Sequence, residues 1–444
     1  MPSTTSDARM PPPAPAIPEA TPPRLACILL WYPLFTQPFI FRELEALRAH
    51  LPLTIHTLYG RNLRCCSTAM KAVAPTVQCL GLRALPRILG SVLGFVLREP
   101  RRSWKLFRRC LCRRWPGWEI LGENLWAFLA GIHLGELFRQ TGVEVIYAPW
   151  PRGTATAAWV ASDIAGIPFV TVVRGDNLAP ADPDLSDKLR AACRIRANNA
   201  ADAQRIRDLA PDVANKVELV YNSLTLPDIP RDQLTEPGGQ VAPCNGNVVR
   251  LLALGRFDVT KGFDVLLRAC ALLRQRAVPL QLTLAGGGGL LMGLGPLEKD
   301  LLALRASLGL ESVVSLPGLV SHDALPQLMA AHDIFVAPCV VHPSGRRDGI
   351  PNTVIEALSQ AMPVVASRVN ALPEVVLHGK TGLLTEPGDA TALADAIQWL
   401  AERPEEARRM GRAGARLARE MFDPVTNSQR LADLLGSCRA AKRG

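Results

Sequence analysis

Two carboxylates, Asp348 and Glu356, flank a proline-led helix start in the stretch DGIPNTVIEALSQAMPVVAS, with seven residues between them. Pro351 suits the first turn of a helix, where its missing N–H is not needed. The amides of Asn352, Thr353 and Val354 then point out of the helix start. That end carries partial positive charge and suits a phosphate or a sugar hydroxyl. Asp348 precedes it, in a loop where Gly349 and Ile350 lead into the helix and the glycine permits close approach to a ligand. Glu356 lies one turn in, and its two oxygens can accept from neighbouring hydroxyls, as acids do for a ribose in dinucleotide sites. Acids gathered at a helix start for dipole reasons give the same spacing, so the pattern alone leaves both readings open.

A second group lies upstream in LGRFDVTKGFD, where Arg256 and Lys261 are separated by a short loop that closes with Gly262. An arginine that binds in two-pronged fashion and a lysine acting as a point charge could clamp a diphosphate. Two solvated loop cations are the alternative. HPSGRRDG adds Arg346 and Arg347 beside Asp348, either to hold an anionic partner or as a solvated basic loop. AGGGGLLMGLGP follows an apolar run and invites a dinucleotide reading, but it fails the G-x-G-x-x-G spacing in every register. That argues against hydride chemistry.

The elements that must position these residues follow from the pattern of the whole chain. Its 444 residues are too many for one ordinary core and suggest two domains; 48% hydrophobic and 20% charged residues mark a folded protein. Residues 1–23, rich in Pro, Ser, Thr and Ala, read as a disordered tail without the apolar core of a signal peptide. From Arg24 to residue 225, apolar strand-like runs such as RLACILLWYP and EVIYAPW alternate with helical ones. A Pro/Gly/Asn-rich linker follows at 226–247. The alternation restarts at 248–415, and a terminal helical segment, 416–444, is free to return to the first domain. Alternation of this kind predicts two α/β domains, each a parallel sheet covered on both faces, with ligands at the carboxyl ends of the strands in the cleft between them.

The net charge of +10 is concentrated. Between about 80 and 120, Arg83, Arg87, Arg98, Arg101, Arg102, Lys105, Arg108, Arg109, Arg113 and Arg114 face few acids and are interleaved with Leu93, Leu97, Trp104 and Trp118. Basic residues mixed with Trp and Leu on helices suit the headgroup boundary of an anionic membrane. A solvated face is the alternative, and nucleic acid is the weaker rival. The longest uncharged run there is too short to span a bilayer. The 11 cysteines are scattered without a C-x-x-C pair, which predicts a reduced set in a cytosolic protein.

Together, GRFDVTKGFDVLL, SLPGLVSHDALPQLMAAHDIFVAPC and DGIPNTVIEALSQAMPVVAS…LPEVVLHGKTGLL resemble the nucleotide-sugar-binding half of the retaining glycosyltransferases of family 4. WYPLFTQPFIFRELEAL and YNS are similar to the branch that builds exopolysaccharides, including colanic-acid-type enzymes. The resemblance implies a GT-B fold of two doubly wound Rossmann-like domains facing each other across a cleft. It implies transfer of a sugar from a nucleoside-diphosphate sugar to a glycan or lipid-linked glycan, at the cytoplasmic face of the membrane. In the family's Glu-x7-Glu pattern, Glu356 takes the ribose-binding place, and Asp348, a shorter acid, takes the sugar-contacting one. Arg256 and Lys261 match the diphosphate-neutralising positions, and no metal or cofactor is expected. Departures are visible. Val173 stands where the family often has a His, so Arg174 or Asp176 would take its acceptor-facing role. Thr36 and Gln37, with Pro33 and Pro38, replace the Gly-rich acceptor loop. Asn370-Ala371 replaces the usual Gly-Gly, and Gly293 to Pro296 matches a GxGP turn. These departures motivate a second reading, a non-catalytic membrane-surface partner of polysaccharide assembly. A nucleotide-sugar epimerase is a third.

Overall fold

The computed structural model describes residues 22–64, 66–175, 178, 182–224, 248–287 and 296–440. The tail up to residue 21, the linker at 226–247, Asp176 and the Gly293–Gly295 part of the GxGP turn lie outside these.

The apolar runs form two parallel sheets. In the first, β1 (Leu25–Leu34), β2 (Leu53–Asn62), β3 (Gln78–Cys79), β4 (Val145–Ala148), β5 (Phe169–Val173), β6 (Arg194–Ala197) and β7 (Val217–Leu219) lie in the order β3-β2-β1-β4-β5-β6-β7. In the second, β8 (Val249–Arg256), β9 (Leu280–Gly287), β10 (Val314–Gly318), β11 (Ile334–Ala337), β12 (Val364–Ser367) and β13 (Gly382–Thr385) lie in the order β10-β9-β8-β11-β12-β13. Central strands such as β4, β5 and β11 are buried along their length, as strands covered by helices on both faces must be. In each sheet the strand order reverses beside the first strand of the domain, at β1/β4 and β8/β11. Crevices for ligands open at such points.

Two sequence expectations change. The run from 184 to 195 reads as one helix, yet the helix stops at Ala191 and β6 begins at Arg194. The two arginines of RIRA disguise a strand. Arg196 is fully buried because Glu43 accepts its Nη1–H at 2.5 Å and the Val220 carbonyl its Nε–H at 2.9 Å. The cysteines are also not all reduced. Cys193, just before β6, and Cys438 form a disulfide across 245 residues, a pairing that no local spacing could reveal.

That disulfide ties the end of the chain to the first domain. Helices Ala390–Ala401, Pro404–Phe422 and Pro424–Ala440 are broken by prolines, each of which removes a helix hydrogen bond. The last helix buries Leu431, Leu434 and Leu435 in the same core as Leu25, Leu29 and Val170, and Arg439 pairs with Glu144 at 2.9 Å. In the basic segment, helices Leu85–Arg98 and Pro100–Leu111 pack on Trp118–Thr141. Among the described residues, no helix is long and apolar enough to cross a membrane.

Candidate functional site

The carboxyl ends of β1 and β8 face one cleft of about 630 Å³. Its first-domain wall carries Trp31, Phe35, Thr36, Gln37, Phe39, Trp150 and Arg174; its second-domain wall carries Arg256, Lys261, Asp348 to Thr353 and Glu356. Of the described residues singled out for a donor or acceptor role, Thr36, Gln37, Arg174, Arg256, Lys261, Asp348 to Thr353 and Glu356 therefore line a single space. Val173 does not; it is a fully buried core residue at the end of β5, and the neighbouring Arg174 reaches the cleft instead.

Lys261 is positioned by a turn. A one-turn 3-10 helix, Val259–Lys261, is capped by Asp258, and Gly262 follows at φ +62°, where a Cβ would sit 2.0 Å from the Pro338 carbonyl oxygen. Only glycine fits there. The Lys261 ammonium lies 3.1 Å from Asp348 Oδ2, and both side chains are largely buried. Burial pulls the lysine pKa down, but the Asp348 carboxylate outweighs it and the pKa stands above the usual value. The Thr260 hydroxyl sits between two carboxylates, 2.9 Å from Asp258 and 3.3 Å from Asp348. Cys339 is nearby at 4.0 Å, its thiol pushed up to about 12 by burial and by Asp348, and so it stays neutral.

Arg346, expected beside an anionic partner, instead binds Asp258 at 3.0 and 3.2 Å. Arg347 donates to the Gly345 carbonyl. These two arginines shape the loop and are not part of the cleft wall. The helix of this wall runs Asn352–Ser359 with Pro351 in the capping position, one residue earlier than expected. Val354, counted among the outward amides, donates to the Pro351 carbonyl at 3.0 Å, which leaves Asn352 and Thr353 as the candidates. Ile350 is buried in the second core, so its backbone rather than its side chain is what it can offer. At Gly349 an added Cβ would lie 3.0 Å from Asn199 Nδ2 of the first domain.

Several site residues escape a reading of the sequence. Arg42, on the helix Pro38–Arg48, donates to Glu356 Oε1 at 3.0 Å across the cleft. Asn222 accepts from Arg174 Nη1 at 3.2 Å and donates to Asn352 Oδ1 at 3.3 Å. Asn370, in place of the family's glycine, keeps a left-handed backbone at φ +46°, which Asn tolerates better than most residues. Its Nδ2 lies 3.0 Å from the Asp348 carbonyl and 3.2 Å from Asp202 Oδ1. His322 reaches the Phe35 carbonyl at 3.0 Å. Polar pairs such as these join the two domains around the cleft. Among the described residues no group of three or more His, Cys, Asp or Glu is arranged to hold a metal ion.

Residues 249–403 match the family model of the glycosyl transferases group 1. The chain is 34% identical over 195 residues, 44% of its length, to the GDP-mannose-dependent alpha-(1-6)-phosphatidylinositol monomannoside mannosyltransferase of Mycolicibacterium smegmatis, covering 49% of that protein. It is 31% identical over 154 residues, 35% of its length, to the amylovoran biosynthesis glycosyltransferase AmsK of Erwinia amylovora, covering 36% of it. The chain thus spans about half or less of the length of these curated relatives. The crystal structure of Anabaena HepE in complex with UDP superposes with a TM-score of 0.64 at 20% identity, over 93% of this chain and 100% of that one.

Proposed function

We propose, from the premise that residues 249–403 are a group 1 glycosyltransferase domain within a GT-B fold, that this protein moves a sugar from a nucleoside-diphosphate sugar to a glycan or lipid-linked glycan in cell-surface polysaccharide or glycolipid assembly. The observation that carries the reading is the single cleft in which Arg256, Lys261, the start of the helix Asn352–Ser359 and Glu356 share one wall, opposite an aromatic, arginine-bearing one.

In this reading the nucleotide lies across the helix start. Glu356 accepts from the ribose hydroxyls through the oxygen that Arg42 leaves open. The diphosphate meets Arg256, Lys261 and the amides of Asn352 and Thr353. As the glycosidic bond to the leaving phosphate breaks, negative charge grows on that oxygen, and fixed cations with helix amides stabilise it without reorganising. Asp348, with Lys261 against one oxygen, faces the sugar. Neutral Cys339 and the paired Asp348 are poor nucleophiles. Attack by the acceptor on the face the phosphate leaves, with retention of configuration, is therefore the step we assign, with the side-chain cations in the role that a metal plays elsewhere.

The acceptor would be met at the cytoplasmic face of a membrane. Arg98, Arg102 and Arg113 of the basic segment are tied to Glu136, Asp163 and Asp187. Arg83, Arg87, Arg101, Lys105, Arg108 and Arg114 remain exposed beside Leu82, Leu97, Trp104 and Trp118, which are 82%, 73%, 63% and 87% exposed. An apolar fringe with basic neighbours suits shallow insertion among anionic headgroups. Vesicles with and without anionic lipid should separate wild type from Trp104→Ser/Trp118→Ser in a flotation assay; equal flotation would remove this part of the proposal.

A thermal-shift panel of UDP, GDP, ADP, dTDP and their sugars on wild type and Glu356→Ala tests the donor reading. Stabilisation by one nucleotide series, lost in the variant, supports it and selects the radiolabelled sugar to try. No shift with any nucleotide sinks it and favours a non-catalytic partner. Conversion of the sugar nucleotide with no acceptor present would instead favour an epimerase.

A further inference from the structure

The first-domain wall carries a charge pattern that the donor does not use. Its charged side chains are Arg64, Arg152 and Arg174, against one acid, Glu123. Arg174 is only 7% exposed and lies with its guanidinium 4.9 Å from the Phe39 ring centre and 5.0 Å from that of Trp150. Its Nη1 donates to Asn222, its Nε approaches the Pro149 carbonyl at 3.5 Å, and its Nη2 is enclosed without a hydrogen-bond partner among the described residues. The two buried acids that act on it, Glu43 and Asp202, are already taken: Arg196 holds one Glu43 oxygen and Tyr147 donates to the other at 2.6 Å, while Asp202 accepts from Asn199 at 2.7 Å and Asn370 at 3.2 Å. Among the described residues Arg174 thus has no carboxylate of its own within ion-pair distance. Burial pulls the Arg174 pKa down, Glu43 pulls it up, and Arg196 pulls it down again. A buried cation without its own counter-ion is costly, and a bound anion would remove that cost.

The geometry points to an anion-reading acceptor subsite on this wall, with Arg174 at its floor and Arg152 at its rim. The acceptor is therefore an acidic one, bearing a carboxylate or a phosphate that lies against Arg174 when the acceptor occupies the cleft. The inference rests on the glycosyltransferase reading for the word acceptor, but the subsite can be tested without turnover. Arg152, half-paired with Asp182 at 3.5 Å, is free to turn toward a ligand. The rings of Phe39 and Trp150, which flank the guanidinium, keep water from screening it.

The experiment uses the full chain, with the stabilising nucleoside diphosphate present in excess so that Arg256 and Lys261 are occupied. Trp150 lies against the subsite, so tryptophan fluorescence reports binding. Two matched pairs are titrated: methyl glucuronide against methyl glucoside, and geranyl diphosphate against geraniol in detergent. We expect one charged member to bind at least about tenfold more tightly than its neutral match, the usual scale for a charge-assisted hydrogen bond. The pair that shows the preference identifies the source of the anion, sugar acid or lipid diphosphate. In Arg174→Gln that preference should collapse to about twofold or less while the nucleotide-induced thermal shift persists; Arg174→Lys should keep part of it. If Arg174→Gln does not fold, Arg152→Gln should still cut the preference severalfold. Equal binding of charged and neutral members to the wild type overturns the inference. So does a preference that survives Arg174→Gln. If no nucleotide stabilises the protein, the donor reading has failed separately. The titration then runs without nucleotide, and a preference lost in Arg256→Gln rather than Arg174→Gln likewise overturns the inference.

Discussion

Replacing Lys261 by Met tests the centre of the proposed donor wall. The ammonium and Asp348 are 3.1 Å apart, and their side chains are only 12% and 18% exposed. At an effective dielectric constant of about 20, the attraction between unit charges at that distance is about 5 kcal/mol. Most of it is offset by the cost of desolvating both ions, so the intact pair is a small net contributor. Removing one partner is different, because it strands a charge in a site that excludes water. For a fully buried pair that costs about 3–5 kcal/mol; the residual exposure here reduces it to about 2–3 kcal/mol. Lys261→Met should therefore melt roughly 4–12 °C below wild type. Asp348→Asn should also melt low. The double variant Lys261→Met/Asp348→Asn should recover most of the loss, a coupling of about 1.5 kcal/mol or more in a double-mutant cycle. On the proposed reading activity should not recover with it, because both groups would face the donor. The sign of the pH dependence follows from the raised lysine pKa: the contribution is complete below the ordinary value of 10.5 and fades as pH rises through the higher folded value. Wild-type and Lys261→Met melting curves should converge above about pH 10.5. Additive single losses, or a Lys261→Met protein melting within a degree of wild type, would refute the argument.

Three further outcomes follow from other contacts. Arg42→Ala removes the 3.0 Å partner of Glu356 and leaves that carboxylate uncompensated where the proposed nucleotide would lie, so nucleotide affinity in the thermal-shift or calorimetric titration should fall about fivefold; unchanged or tighter binding would show that Arg42 does not assist Glu356. His56 is buried against Phe138 and its pKa is lowered to about 4 by burial and by His133. A lowered histidine value gives stability that is present above the ordinary 6.5 and lost as pH falls toward 4, so wild type should lose up to about 3 kcal/mol more than His56→Phe over that window in denaturant melts. The Cys193–Cys438 disulfide predicts that unfolded protein titrates at least two more thiols after reduction than before it; Cys438→Ser should cost about 2–5 kcal/mol in stability.

What a single sequence discloses here depends on how local the physics is. The strands with uninterrupted apolar runs, such as β4, β5 and β11, announce themselves because both faces are buried. The placement of the second-domain wall is legible for a similar reason. Arg256, Lys261, Asp348 and Glu356 sit at strand ends and a helix start, where glycine, proline and charge must occur in a fixed local order. The opposite wall is legible only in part, through Thr36, Gln37 and Arg174, because its other residues act through partners far along the chain. Arg42 meets Glu356 across 314 positions and Arg196 meets Glu43 across 153. Read in sequence, Arg196 makes β6 look like a solvated helix end, although it is among the most buried side chains in the protein. Charge inside a fold is invisible to hydropathy because its cost is offset by a distant partner. The same network, from Glu43 through Arg196 and Asn222 to Arg174 on one side and Asn352 on the other, connects the first-domain wall to the helix Asn352–Ser359 by hydrogen bonds alone. Asn222→Ala should therefore weaken binding on both walls while leaving Arg256 and Lys261 in place, whereas a loss confined to nucleotide binding would mean that the two walls act independently.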